Sequence, residues 1–161
     1  PQHYNNTWAG NTCPRYRKVF RKDEVNMKIL VIDGQGGRMG KSVIEQLKKK
    51  WPDLEITAIG TNSLATSAML KAGASAAATG ENPILVNSRT ADIIIGPIGI
   101  VMANSLLGEI TPAMAEAVSS SPAFKILIPV NRCCHFIVGC GEQSLTAYIS
   151  EVVDKVDELL S

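Results

Sequence analysis

Residues 28–42 read Lys-Ile-Leu-Val-Ile-Asp-Gly-Gln-Gly-Gly-Arg-Met-Gly-Lys-Ser, and no other stretch narrows the choice of fold as far. A run of β-branched and apolar residues, 29–32, ends at Asp33 and a glycine-rich bend. Beyond the bend, Met39, Val43, Ile44, Leu47 and Trp51 fall on one helical stripe. A buried strand that runs through a tight turn into an amphipathic helix opens a βαβ unit. Gly34, Gly37 and Gly40 are spaced by three. Gly34 suits a tight bend, Gly36 and Gly37 let a ligand approach the main chain, and Gly40 lets the helix pack against the strand. Such a turn presents backbone N–H groups at a helix N-terminus, where the partial positive charge favours anions. The expected ligand is a phosphate-bearing small molecule held by Gly34, Gln35, Gly36, Gly37, Arg38, Met39 and Gly40.

The rest of the chain repeats the strand–helix alternation. Residues 54–59 read as a second strand, stopped at Gly60. Leu64, Ala65, Ala68, Met69 and Ala72 make a second helical face, ended by Gly73. A weak third strand covers 74–78, and 84–88 fits a helical turn or a strand equally. Residues 93–95 form a fourth strand, followed by Gly96-Pro97-Ile98-Gly99 and a small-residue helix through Leu107. Thr111-Pro112 starts another helix, with a capping hydroxyl before proline at the first helical position. Strands at 125–128 and 136–138 and a C-terminal helix follow, its stripe formed by Leu145, Ile149, Val152, Val153, Val156 and Leu159. The strands are apolar throughout, so both sheet faces must be covered. The fold class expected is α/β: one doubly wound, mostly parallel sheet of about five to six strands with helices on both faces. The last strand follows too closely for a parallel crossover and reads as an antiparallel edge.

A length of 161 residues suits one folded unit. It is expected to span 27–161, after a poorly ordered basic extension over 1–26. A net charge of +1 gives no general attraction to nucleic acid or membrane, and 5% aromatic content leaves few base-stacking platforms. No apolar stretch reaches the length of a membrane span, and the first residues lack the apolar core of a signal peptide. A cytoplasmic location is expected, with Cys13, Cys133, Cys134 and Cys140 as thiols. Cys133-Cys134-His135 lacks ligand-pair spacing, and adjacent side chains on an extended chain point apart, so no metal site is expected.

The sequence Gly34-Gln35-Gly36-Gly37-Arg38-Met39-Gly40 resembles the Rossmann phosphate turn, and its Gly-Arg-Met-Gly resembles the turn of the dihydrodipicolinate reductase family. That resemblance covers the first βαβ unit and implies NAD(P) bound through the backbone near Gly34, Gly37 and Gly40. The family's paired catalytic histidines have no counterpart, since His3 and His135 stand alone. From Met27 onward the chain looks like the bacterial family called domain of unknown function 3842. The shared-looking features are the Ile-Asp-Gly-Gln-Gly-Gly opening, Gly60-Thr61-Asn62, Val86-Asn87-Ser88-Arg89, and Gly96-Pro97-Ile98-Gly99 through Gly108-Glu109-Ile110-Thr111-Pro112. This second resemblance implies a Rossmann-like fold and lends no activity.

Two features depart from a standard NAD site. The second strand ends in Gly60-Thr61-Asn62-Ser63, where an acid would accept from the ribose hydroxyls. Asp33 adjoins the turn, either repelling an anion or bonding the turn's own N–H groups. Gly40-Lys41-Ser42 matches the end of a P-loop, but the required first glycine falls on Gln35. Thr61, Asn62 and Ser63, and Gly96, Pro97, Ile98 and Gly99, follow strands and are expected to border the same crevice as the turn. Asn104, Ser105 and Glu109 would line a pocket or cap a helix end, and Asn87, Ser88, Asn131 and Arg132 are weaker candidates.

The function expected is that of a small Rossmann-like protein binding NAD(P) or a related nucleotide, as a reduced oxidoreductase. The alternatives are a non-catalytic module that binds or senses a phosphorylated metabolite and, third, a P-loop-like NTPase. Residues 96–109, 131–135 or a second subunit in a homo-oligomer would have to complete a substrate pocket. Neither nucleic acid nor membrane is an expected partner, and no residue stands out as acid or base.

Overall fold

The apolar runs assemble into a single five-stranded parallel sheet. The computed structural model describes residues 27–129, 137, 138, 140, 141 and 143–161. The expected basic extension, and Asn131, Arg132, Cys133, Cys134 and His135, lie outside the described residues. The elements, in chain order, are β1 (Ile29–Asp33), α1 (Arg38–Lys50), β2 (Ile56–Gly60), α2 (Ser63–Lys71), β3 (Ala76–Thr79), α3 (Glu81–Asn87), β4 (Ile93–Pro97), α4 (Pro112–Ser120), β5 (Phe124–Ile128) and α5 (Leu145–Leu160). Between β4 and α4 lie two short 3-10 turns, Ile98–Val101 and Leu106–Gly108.

Strand order is β3-β2-β1-β4-β5. β1 is central and buried along its whole length, as a strand covered on both faces must be. Its alternate residues feed two cores. Ile29 and Val31 pack in one with Val43, Ile44 and Leu47 of α1, Met69 of α2, and Ile149, Val152 and Val156 of α5. Leu30 and Ile32 pack in the other with Ile84 of α3 and Met114, Ala115 and Val118 of α4. The chain therefore winds helices onto both faces. Its order reverses between β1 and β4, and ligands of open α/β sheets bind at such a switch point, outside the strands' carboxyl ends.

Local signals start the helices, and the Thr111-Pro112 start lies where the sequence placed it. The Asn62 side chain accepts from Ala65 N–H at 2.9 Å to cap α2, Thr111 accepts from Met114 N–H at 3.2 Å to cap α4, and Ser144 accepts from Ala147 N–H at 3.2 Å to cap α5. The ambiguous stretch 84–88 resolves as helix, within α3. Two expectations change. Residues 98–107 form no α-helix, because Asn104, Leu106 and Leu107 hold positive φ and break the hydrogen-bond ladder. The stretch 136–138 adds no antiparallel strand among the described residues: Ile137 is irregular and Val138 sits in a turn. Among the described residues no helix is long and apolar enough to cross a membrane.

Candidate functional site

β1 delivers Asp33 to the sheet's carboxyl edge, and the chain turns through Gly34–Gly37 into α1. Gly37 caps the helix at φ 64° and ψ 17°, a left-handed conformation that glycine adopts at no steric cost. A Cβ there would lie 2.6 Å from the Ala65 Cα of α2, so the position also fixes how closely the two helices approach. Gly37 N–H donates to the Gly34 carbonyl at 2.9 Å and closes the bend.

Asp33 is 6% exposed and spends both carboxylate oxygens on this turn. Oδ1 accepts from Gly34 N–H at 2.8 Å and Oδ2 from Gly40 N–H at 2.7 Å. Burial pushes the Asp33 carboxyl above the usual range and outweighs the opposing N–H bonds from Gly40, Gly34 and Met39; the nearby Glu109 charge raises it further. The acid beside the turn thus serves as the turn's internal brace.

Glu109 approaches from the opposite direction, out of the connection between β4 and α4. Its Oε2 accepts from Gln35 N–H at 2.8 Å, from Asn62 Nδ2 at 3.2 Å and from the Thr61 hydroxyl. Asn62 Nδ2 also donates to the Gln35 carbonyl at 3.0 Å. Partial burial acts to raise the Glu109 pKa, yet the bonds from Thr61, Gln35 and Asn62 outweigh it and hold the carboxyl below its usual range. A clasp of Glu109, Thr61, Asn62 and Gln35 therefore joins the ends of β1 and β2 to the segment that follows β4.

These two carboxylates correct the expectation of an open fan of amides. Asp33 takes Gly34 and Gly40, Glu109 takes Gln35, and the Gly34 carbonyl takes Gly37. The N–H groups of Gly36 and Arg38 keep no acceptor among the described residues. Both residues border a cavity of about 370 Å³. Its floor is the turn from Asp33 to Met39, and its far wall is Pro97, Ile98, Gly99, Met102, Ser105 and Leu106, with Leu145 from the start of α5. The cavity lies at the β1–β4 switch point. The Arg38 side chain is exposed there and makes no ion pair among the described residues. Ser105 Oγ donates to the Gly99 carbonyl at 2.5 Å, pinning the far wall.

The expected site residues divide by place. Gly34, Gln35, Gly36, Gly37, Arg38 and Met39 meet Pro97, Ile98 and Gly99 around the cavity. Gly40 lies behind it, packed against Met69 of α2. Gly96 is buried in β4, where a Cβ would lie 2.4 Å from the Ile32 carbonyl oxygen. Thr61 and Asn62 belong to the clasp, and Ser63 is an exposed first residue of α2. Asn87 and Ser88 end α3, just before the segment that pairs with Lys28 at the opposite edge of the sheet. Lys41 pairs with Glu45 at 3.7 Å on the exposed face of α1 and does not border the cavity. Met102, Leu106 and Leu145 carried no signal in the sequence, since apolar residues that line a cavity and those that fill a core look alike. Glu109 was legible only as a polar residue of undecided place. Among the described residues no three His, Cys, Asp or Glu side chains gather as metal ligands would.

The chain belongs to the family described as Domain of unknown function (DUF3842), whose model matches residues 28–161. No curated protein matches it. Among solved structures it resembles a dodecameric FMN-dependent Ubix-like decarboxylase from Escherichia coli O157:H7, at 15% identity and a TM-score of 0.51, over 81% of this chain and 95% of that one. At that identity the likeness shows the fold alone.

Proposed function

We propose that this family member binds a phosphate-bearing mononucleotide, with flavin mononucleotide as the first ligand to test, in the cavity between the glycine turn and residues 97–106. The observation that carries the reading is the conjunction at one switch point of two amides and a guanidinium that have no partner among the described residues, and an apolar-walled cavity. In this reading Gly36 N–H, Arg38 N–H and the Arg38 side chain hold the phosphate, charge-assisted bonds being the strong ones. Pro97, Ile98, Met102, Leu106 and Leu145 would enclose a flat ring, and 370 Å³ falls at the small end of the range of about 300–1,000 Å³ for ligand pockets. The FMN dependence of the structurally similar decarboxylase adds support for trying a flavin. NAD(P) has less in its favour, because no acid ends β2 and Thr61 and Asn62 are already engaged. Bound flavin would supply electron-transfer chemistry; the chain's part is to position it.

A second reading, a binding or sensing module without catalysis, is favoured by one observation. Asp33 and Ser105, the carboxyl and the hydroxyl on the cavity wall, are both engaged in holding backbone.

Flavin fluorescence titration of the full chain tests the proposal. Gly36→Asp is the sharper variant, because a Cβ at Gly36 meets only the Arg38 Cγ at 3.9 Å. It should weaken FMN by about tenfold or more while leaving folding stability within about 0.5 kcal/mol. Arg38→Gln should cost about tenfold to a hundredfold, as loss of a charged hydrogen bond does. Unaltered affinity in both variants, or no FMN binding by the parent chain, would remove the reading.

A further inference from the structure

We propose that Glu109 makes the site selective for mononucleotides by filling the place where the second half of a dinucleotide would lie. The inference rests on the mononucleotide reading above and names what sets its ligand class. In doubly wound folds a dinucleotide crosses the glycine turn, and its second ribose is met at the end of β2. Here the connection from β4 reaches back over the turn and closes that route. Glu109 Oε2 would lie 2.6 Å from a Cβ on Gly34 and Leu106 Cδ1 3.0 Å from it, so the space above the end of β1 is filled. At the end of β2, Thr61 and Asn62 donate to Glu109 and are not available to a ribose. A carboxylate placed there would also oppose a second phosphate by charge.

The chain holds this arrangement against local cost. Asn104, Leu106 and Leu107 have φ of 63°, 54° and 59°, values that bulky residues rarely adopt. Such conformations persist where surrounding bonds over-determine them. Asn104 N–H donates to the Ile110 carbonyl at 2.7 Å, Ser105 Oγ to the Gly99 carbonyl, and Glu109 receives three donors. The amide supply agrees: Gly36 and Arg38 offer two N–H groups with no acceptor among the described residues, suited to one phosphate.

FMN and FAD are a matched pair for the test, since they share the ring and differ by an adenylate. The parent chain should bind FMN at least about tenfold more tightly than FAD. Glu109→Ala should move the ratio toward parity, and Glu109→Gln, which keeps the side chain's shape and removes its charge, should move it part of the way. Circular dichroism and thermal melting establish that each variant is folded, and the graded pair keeps the result interpretable if one is not. Equal FMN and FAD affinity in the parent chain, or an unchanged ratio in both folded variants, overturns the proposal. So does a Glu109→Ala ratio shifted further in favour of FMN than the parent's, which would make the carboxylate a ribose acceptor. Failure of the parent chain to bind either flavin overturns the mononucleotide reading itself, and this inference with it.

Discussion

At the scale of single residues, the turn is a contest between internal and external anions. Asp33 and Glu109 are both carboxylates, both take amides from the same bend, and their environments push their pKa values apart. Glu109 has the cleaner consequence for stability. Its folded pKa lies below the ordinary 4.5, so its contribution is fully present above that value and is lost as pH falls through the lowered one. Glu109→Gln removes this titration. Urea unfolding should show the variant less stable than the parent at neutral pH, with the difference shrinking as pH falls below 4.5 and through the lowered pKa. A difference that stayed constant, or grew on acidification, would show that the three donors do not depend on the charge. The same scale shows why a bulky acid at Gly37 is a poor probe of binding. In Gly37→Asp, φ of 64° and the contact with Ala65 mean that folding would fail before binding is read.

At the scale of elements, the informative piece is the connection from Ile98 to Thr111. Its composition of small and apolar residues suits a helix, which is why a helix was expected there. The tertiary bonds of Glu109, Ser105 and Ile110 outweigh that local preference and spread the chain across the sheet's edge. Leu107 reports the cost most simply, because its side chain is 91% exposed and its φ is 59°. A left-handed non-glycine residue costs about 1–2 kcal/mol, and glycine returns about 0.5–1 kcal/mol of that as extra entropy in the unfolded chain. Leu107→Gly should therefore stabilise the protein by roughly 0.5–1 kcal/mol in equilibrium denaturation. Destabilisation by a similar amount would mean that the exposed leucine packs on something in solution. Elements with uniform local signals behaved differently. β1 and α1 were legible because hydrophobic period and burial agree there, and the start of α4 because Thr111 caps it with Pro112 at the first helical position.

At the scale of the whole molecule, a parallel sheet with helices on both faces follows from βα alternation, whereas the order β3-β2-β1-β4-β5, and with it the switch point, emerges only from the assembled sheet. The glycine turn was legible because its residue types are dictated by backbone geometry. The cavity was legible in half. The turn's side announces itself in glycines, whereas Met102, Leu106 and Leu145 become neighbours of the turn only once the sheet is assembled. Glu109 lies 74 positions from Gln35, and nothing local in either stretch announces the pair.

We propose that the amides of Gly36 and Arg38, without an acceptor among the described residues, receive a phosphate at the cavity floor. Backbone ¹H–¹⁵N resonances of the full chain, followed while FMN is added, test it most directly. The largest shifts are expected at Gly36 and Arg38, with much smaller ones at Gly34, Gln35 and Gly40, whose N–H groups are already bonded within the chain. An unmoved Gly36 and Arg38 at saturating ligand, or shifts centred on Thr61 and Asn62, would contradict it.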